Sequence, residues 1–578
     1  MEAPAQPPAR SRRAGLALGA LALGVYLALA VALLGKGLFT GGGTVVGDHG
    51  DPPLFIWYLQ WLPFALGHHL NPLLTSYLHY PSGANLMWNT SIVFPALLLA
   101  PVTLVSGPIT AYNVLCVLAI GTSAWCGYLA ARRYTATWVA AAAGGLLYGF
   151  SPYELSQSLG HAMLTPVFYP ALMVILADEI LVRERRRAWL LGLLLGVASA
   201  VQLMTSEELL AMTLVMAMPA LVTIAILRRD LIRGRLDYAL GVAGSALLTF
   251  LVLAGYPLYI LFFGPQRVHG PLWFLDYYVA TAERFVVPSS VQLLGLGPRA
   301  QLGDSSVYIG IPLLLLAVAT VVWLRRRAVV VVAAVTLACA MVFSLGGFLH
   351  LSDGLSTSVP LPWLVIDHTP FFNDILPIRV MLFGYLALAI LIAAFLDRAL
   401  RSSRARWRVA GAVVTVVALV PLLPVTPFPS ERWEVPPFFT SADVDRLGGS
   451  SSVLVTSDPG YAPSVWQAEA DLAYRTPTGP VFTPGPGGWQ WGTDLGALGT
   501  ELGRVRGGAP VPAQLTASAR RSYLDELEAL GVRGVVVGPE GHQAQVAQLF
   551  TELLGSPGQA TGGVVVWYRV EPGALPGA

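Results

Sequence analysis

Long apolar runs separated by short polar breaks fill the first three quarters of this chain. Runs of spanning length lie near 14–38, 109–131, 137–151, 164–182, 188–205, 207–228, 237–262, 307–324, 328–346, 375–397 and 407–427. A single helix of about 20 apolar residues crosses a hydrocarbon core of roughly 30 Å. The pattern predicts an α-helical polytopic membrane protein with about 11 transmembrane helices. The run 137–151 is short for a span. A further stretch, 91–107, is broken by Pro95 and Pro101 and parted from the next run only by Pro108. Past residue 430 the pattern shortens, with strands near Val453–Thr456, Gly534–Val537 and Gly563–Arg569 and helices near Ala517–Leu530 and Gln543–Leu554. It reads as a C-terminal soluble α/β domain, 430–578, following a transmembrane domain, 1–429. The Gly-, Pro- and Trp-rich segment Thr483 to Gly492 reads as a loop near the membrane or the active site.

Composition agrees with this picture. Hydrophobic residues make up 55% of the 578 and charged residues only 12%, against about 25% charged in soluble domains. A net charge of +2 gives no reason to expect nucleic acid as a partner. The three cysteines (Cys116, Cys126, Cys339) all fall in apolar runs and form no metal-spaced cluster. Arg10, Arg12 and Arg13 precede an apolar run too long for a cleaved signal, and no small-residue cleavage site ends it, so it reads as a retained first helix.

Charge placement sets the expected topology, because cytoplasmic loops are enriched in Lys and Arg. The basic clusters are Arg10/Arg12/Arg13, Arg132/Arg133, Arg183 to Arg187, Arg228 to Arg235, Arg325 to Arg327 and Arg398 to Arg408. They fall on one side only if 91–107 dips into the interface without crossing. Eleven spans then put the N-terminus in the cytoplasm and the C-terminal domain outside the cell membrane. The extracytoplasmic loops become 39–108, 263–306 and 347–374, and all nine histidines lie on that side.

Polar chemistry gathers on the same side. Asp48 and Asp51 follow the first run in Gly47-Asp48-His49-Gly50-Asp51-Pro52-Pro53. Ionisable groups beside lipid are costly and usually functional. Asp followed by Pro is also a helix-start signal, so Asp51 reads equally as an N-cap of an apolar helix. That helix carries Trp57 and Trp61 and is expected to lie at the interface, with its aromatics at headgroup level. Glu207 and Glu208 sit at the outer junction of two runs, able to hold a metal or a substrate hydroxyl, to pair with an outer arginine, or to bridge the helices as a solvated loop. Glu154 and His161 lie in the outer segment Ser151-Pro152-Tyr153-Glu154 through Gly160-His161. His161 reads as a phosphate ligand, a proton donor or a satisfied interfacial histidine. Arg379, just inside a helix start, calls for an anion: a lipid phosphate, Asp374, Asp51 or a glutamate. Arg267, Arg284 and Arg299 are weaker candidates for that role. No nucleotide-binding, metalloprotease or serine-hydrolase motif occurs.

These residues carry a resemblance. Gly50-Asp51-Pro52 with Trp57 and Trp61, Tyr128 to Arg133, Phe150-Ser151-Pro152-Tyr153, Gly160-His161, Glu207-Glu208 and Pro377-Ile378-Arg379 resemble the GT-C superfamily of integral membrane glycosyltransferases. With Trp466-Gln467-Ala468 and Leu530 to Pro539, the likeness extends to its bacterial branch with a C-terminal periplasmic α/β domain. The resemblance implies a GT-C-like fold and a transferase, inverting in type, that takes a sugar from a polyprenyl-phosphate donor. The acceptor would be an envelope glycan, lipid or protein. It also implies Asp51 or Asp48 as the base, Arg379 and His161 at the donor phosphate, and Glu207, Glu208 and Glu154 toward substrate or metal. The only cofactor this scheme admits is a divalent ion, Mg or Mn. An outer-facing site supports a lipid-borne donor independently, since sugar nucleotides are absent there. The rival expectation is a non-catalytic transporter or scaffold for lipid-linked glycans, which would place acids within the spans.

Overall fold

A computed structural model of the chain describes residues 9–39, 43–47, 50–183, 186–289, 291–295, 307–449, 451–458 and 460–574. The apolar runs form helices, and the molecule is mostly helical. Among the described residues six helices are long and apolar enough to cross a bilayer: Arg13–Leu34, Pro108–Arg132, Glu207–Leu227, Gly234–Phe263, Pro377–Leu400 and Ala405–Leu422. The remaining runs fold as shorter helices, namely Trp138–Gly149, Phe168–Asp178, Ala188–Leu203, Ile311–Leu324 and Ala328–Ser344. The chain is a multi-pass membrane protein. The stretch 91–107 becomes the 14-residue helix Val93–Ser106, with Leu97, Leu98, Leu104 and Val105 exposed. It turns at Gly107 directly into Pro108–Arg132.

Helix Met381–Leu400 is the axis of the helical body, with nearly every side chain buried. It packs against Ala328–Ser344, Trp138–Gly149 and Ala405–Leu419. Close approach of Trp138–Gly149 to Pro108–Arg132 depends on glycine, since a methyl at Gly149 would run into Ala124. The basic clusters meet at one end of these helices. Arg133 pairs with Asp178 and Glu179 at 3.3 and 2.9 Å, and Arg183 reaches Asp178 at 2.6 Å. Arg235 donates to the Leu181 carbonyl, and the Arg398 guanidinium lies over Trp323. Asp397 accepts from the Ala136 and Thr137 amides and caps the start of Trp138–Gly149.

The tail carries a four-stranded mixed sheet in the order Gln559–Thr561, Val564–Trp567, Val532–Val537, Ser452–Thr456. Its last two strands run parallel, and the other pairs are antiparallel. Side chains alternate between faces along a strand, and here each face meets its own core. Leu454, Val535 and Val537 face helices Gly496–Arg506, Ala517–Ala529 and Gln543–Leu554 through Leu502, Leu527 and Phe550. Val453, Val455, Val536 and Val566 join a cluster shared with Trp57, Phe438 and Trp466. The chain also returns to its own beginning, because Thr44–Val46 pairs antiparallel with Ser430–Arg432.

Helix Pro52–Gly67 differs from expectation. Its aromatics are covered by protein instead of being exposed. Trp57 is fully buried and stacks on Trp61 at 5.3 Å. The tail covers this helix through Ala462–Glu469, and the Trp57 indole N–H donates to Gln467 Oε1 at 2.7 Å. A helix apolar on all sides needs apolar cover on all sides, and the far end of the chain supplies it. Segment Thr483 to Gly492 folds into a small hairpin, Phe482–Thr483 with Gln490–Trp491.

Candidate active site

Asp51 begins helix Pro52–Gly67, but its carboxylate makes no capping hydrogen bond. The reason is local. An N-cap side chain serves the amides at the second and third helical positions, and Pro53 has none. The Leu54 amide instead takes the Asp51 backbone carbonyl at 3.0 Å. The carboxylate, 40% exposed, turns to His161, whose Nε2 lies 3.4 Å from Oδ2.

Two short elements bring His161 there. Ser151 caps Pro152–Gln157 by accepting from the Glu154 amide, and the chain then tightens, with the His161 amide donating to the Gln157 carbonyl at 2.8 Å. On the other side Gly47 has φ +99° and lies so close to Leu159 that a methyl there would meet the Leu159 carbonyl oxygen. Only glycine suits both the positive φ and that approach.

Arg379 stands in the turn Pro377–Val380, and its Nη1 donates to Glu208 Oε2. Glu208 also accepts from the Leu376 amide at 3.3 Å. Of the anions considered for Arg379, the partner is thus a glutamate. Its other N–H groups have no hydrogen-bond partner among the described residues. Glu207 lies beside Thr90.

Tyrosines join these groups into one cluster. Tyr278 lies within electrostatic reach of both Arg379 and Asp51, and Tyr58 within reach of Asp51 and Glu207. Tyr153 neighbours Arg379, Glu208 and Glu154. Glu154 is fully buried, and neither of its carboxylate oxygens has a hydrogen-bond partner among the described residues. Burial pushes its carboxyl well above the ordinary carboxylate range. The Asp374 carboxyl is also raised by burial, though it accepts from the Leu272 amide at 2.7 Å.

Asp51, Glu154, His161, Glu207, Glu208 and Arg379 thus share one polar region, at the end of the helices away from the basic clusters. Asp48 and Arg299 lie outside the described residues. Arg284 pairs with Asp353, and Arg267 donates to the Phe262 carbonyl, so neither is committed to this region. Among the described residues no three His, Cys, Asp or Glu side chains stand together as a metal site. Sequence reasoning missed Tyr58 and Tyr278 as site residues. Their one sequence signal was aromatic enrichment, in Phe55 to Phe64 around Tyr58 and in Trp273 to Tyr278.

Among solved structures, the apo oligosaccharyltransferase of Archaeoglobus fulgidus is similar at 12% identity and TM-score 0.45, covering 90% of this chain and 69% of that one. Archaeal oligosaccharyltransferase AglB from Archaeoglobus fulgidus, in complex with an inhibitory peptide and a dolichol-phosphate, is similar at 10% identity and TM-score 0.46, covering 98% and 75%. No curated protein matches. The family model described as Domain of unknown function (DUF6311) matches residues 20–373, more than half of the chain, and the chain belongs to that family.

Proposed function

We propose that this chain is a GT-C-type membrane glycosyltransferase moving a sugar from a polyprenyl-phosphate donor to a cell-envelope acceptor on the extracytoplasmic face. The observation that carries the proposal is the Asp51 carboxylate. Pro53 leaves it without a capping duty, His161 lies beside it, and Arg379 is held by Glu208 in the same polar region.

In the proposed reaction Asp51 takes the proton of the acceptor hydroxyl. The acceptor oxygen bonds to the anomeric carbon as the bond from that carbon to the phosphate oxygen breaks, with inversion. The electron pair leaves on the polyprenyl phosphate, whose negative charge the open N–H groups of Arg379 meet. Glu208 fixes the guanidinium, and His161 orients the base. The acids away from this cluster also favour an enzyme over a transporter. Asp178, Glu179 and Asp397 are engaged in ion pairs and a helix cap at the basic end, where a conduction path would need them along the spans.

The test is transfer from a polyprenyl-phosphate sugar, labelled in the sugar, by membranes holding wild-type or D51N protein. Loss of a general base lowers the rate by about 10²–10⁴-fold, and D51N is expected in that range. Full transfer by both D51N and D48N would sink the proposal.

A further inference from the structure

A row of aromatic rings leads from the protein surface into the candidate site. Trp491 meets Phe482 at 4.5 Å between ring centroids, and Phe482 meets Trp273 at 6.0 Å. Trp273 stacks on Tyr277 at 4.7 Å, and Tyr277 touches Tyr278 at 4.6 Å. The Ile378 amide donates to the Tyr278 carbonyl at 3.3 Å, which sets Tyr278 against the turn that carries Arg379.

The row is fixed in place by bonds between four parts of the chain. The Trp489 indole donates to the Pro271 carbonyl at 3.0 Å, and the His269 amide donates to the Gly488 carbonyl at 3.1 Å. Asn89 accepts from the Phe482 amide, and Asp374 holds the Leu272 amide. Tyr277 and Trp491 remain 39% and 40% exposed. Rings this open, yet braced by their own backbone, are preorganised for a ligand.

We propose that Trp491, Phe482, Trp273, Tyr277 and Tyr278 form a track for a saccharide chain of several sugars, ending at Asp51 and Arg379. This rests on the transferase reading. The C–H face of a sugar ring carries slight positive charge and packs on the negative face of an aromatic ring. Rings repeated every few ångström suit a chain of sugar rings better than a single one. A lipid belt fits less well, because the row turns inward to charged groups and two of its five rings belong to the hairpin of the tail.

The experiment uses full-length protein in detergent, wild-type and D51N, titrated with neutral glucose and mannose oligomers of increasing length. Tryptophan fluorescence reports binding. Affinity should rise at least tenfold from monosaccharide to trisaccharide in both proteins. In W273A/W491A that gain should vanish, while W273F/W491F, which keeps rings, should retain most of it. Transfer assays that vary acceptor length and donor-glycan length separately show which substrate carries the chain. Length-independent binding, or an unchanged gain in W273A/W491A, overturns the track. So does a W273A/W491A defect confined to partition into phospholipid vesicles. Length-dependent binding by D51N together with undiminished D51N transfer would instead overturn the role of Asp51 and leave the track standing.

Discussion

The Trp57 indole N–H donates to Gln467 Oε1 at 2.7 Å, joining helix Pro52–Gly67 to the tail across 410 positions of sequence. Gln467 also donates to the Tyr77 and Tyr474 carbonyls. One buried amide therefore ties the helix that begins at Asp51 to two further segments.

Trp57→Phe keeps an aromatic ring but leaves a buried acceptor unpaired, which costs about 1–3 kcal/mol. Gln467→Ala strands all three partners and should cost more. Thermal unfolding in detergent should rank the variants wild type, W57F, Q467A in falling order. The reverse order of the two variants would show that Gln467 is not the tie.

Gly47→Ala puts a methyl against the Leu159 carbonyl in a backbone conformation with φ +99°. Positive φ alone costs of order 1–3 kcal/mol for a residue with a side chain. Gly487→Ala is the matched control, since Gly487 has φ +86° and open space where the methyl would go. G47A should unfold at lower temperature than G487A and lose more transfer activity, because Leu159 positions His161. Equal behaviour of the two would discount the close approach.

The Glu154 carboxyl, raised by burial, keeps its proton in the folded protein where the unfolded chain has lost it. The folded state then binds more protons, so stability falls as pH climbs from the ordinary carboxylate range toward the folded value. Glu154→Gln removes that titration. It should flatten the dependence of unfolding temperature on pH and outlast wild type at neutral and alkaline pH. Parallel pH profiles for the two proteins would contradict a buried, unpaired carboxyl.

Much of the helical body was legible because apolar runs announce helices directly. The helix start at Asp51 was legible too, and so was its oddity: Pro53 in the sequence already removes an amide that an N-cap would serve. The burial of Trp57 was not, since its cover comes from Gln467 and Trp466, hundreds of positions away. The choice of Glu208 for Arg379 and His161 for Asp51 depends on how four segments distant in sequence pack. No spacing in the sequence encodes that. Tyr278 sits in an irregular segment, where neither helical nor strand periodicity marks a site, and Tyr58 reads in sequence only as one more aromatic of an apolar helix.

The pairing of Thr44–Val46 with Ser430–Arg432 bears on the order of assembly. The first of these strands is synthesised early and the second only after the helical body is nearly complete. Gly47 is held by the Pro429 carbonyl in the same way. The loop leading to Asp51 therefore waits, unfinished, until the final helix Ala405–Leu419 has been made and residue 430 can come back beside it. A chain cut short before that point would lack the strand that pairs with the segment leading to Asp51, and the site's approach would stay open on that side.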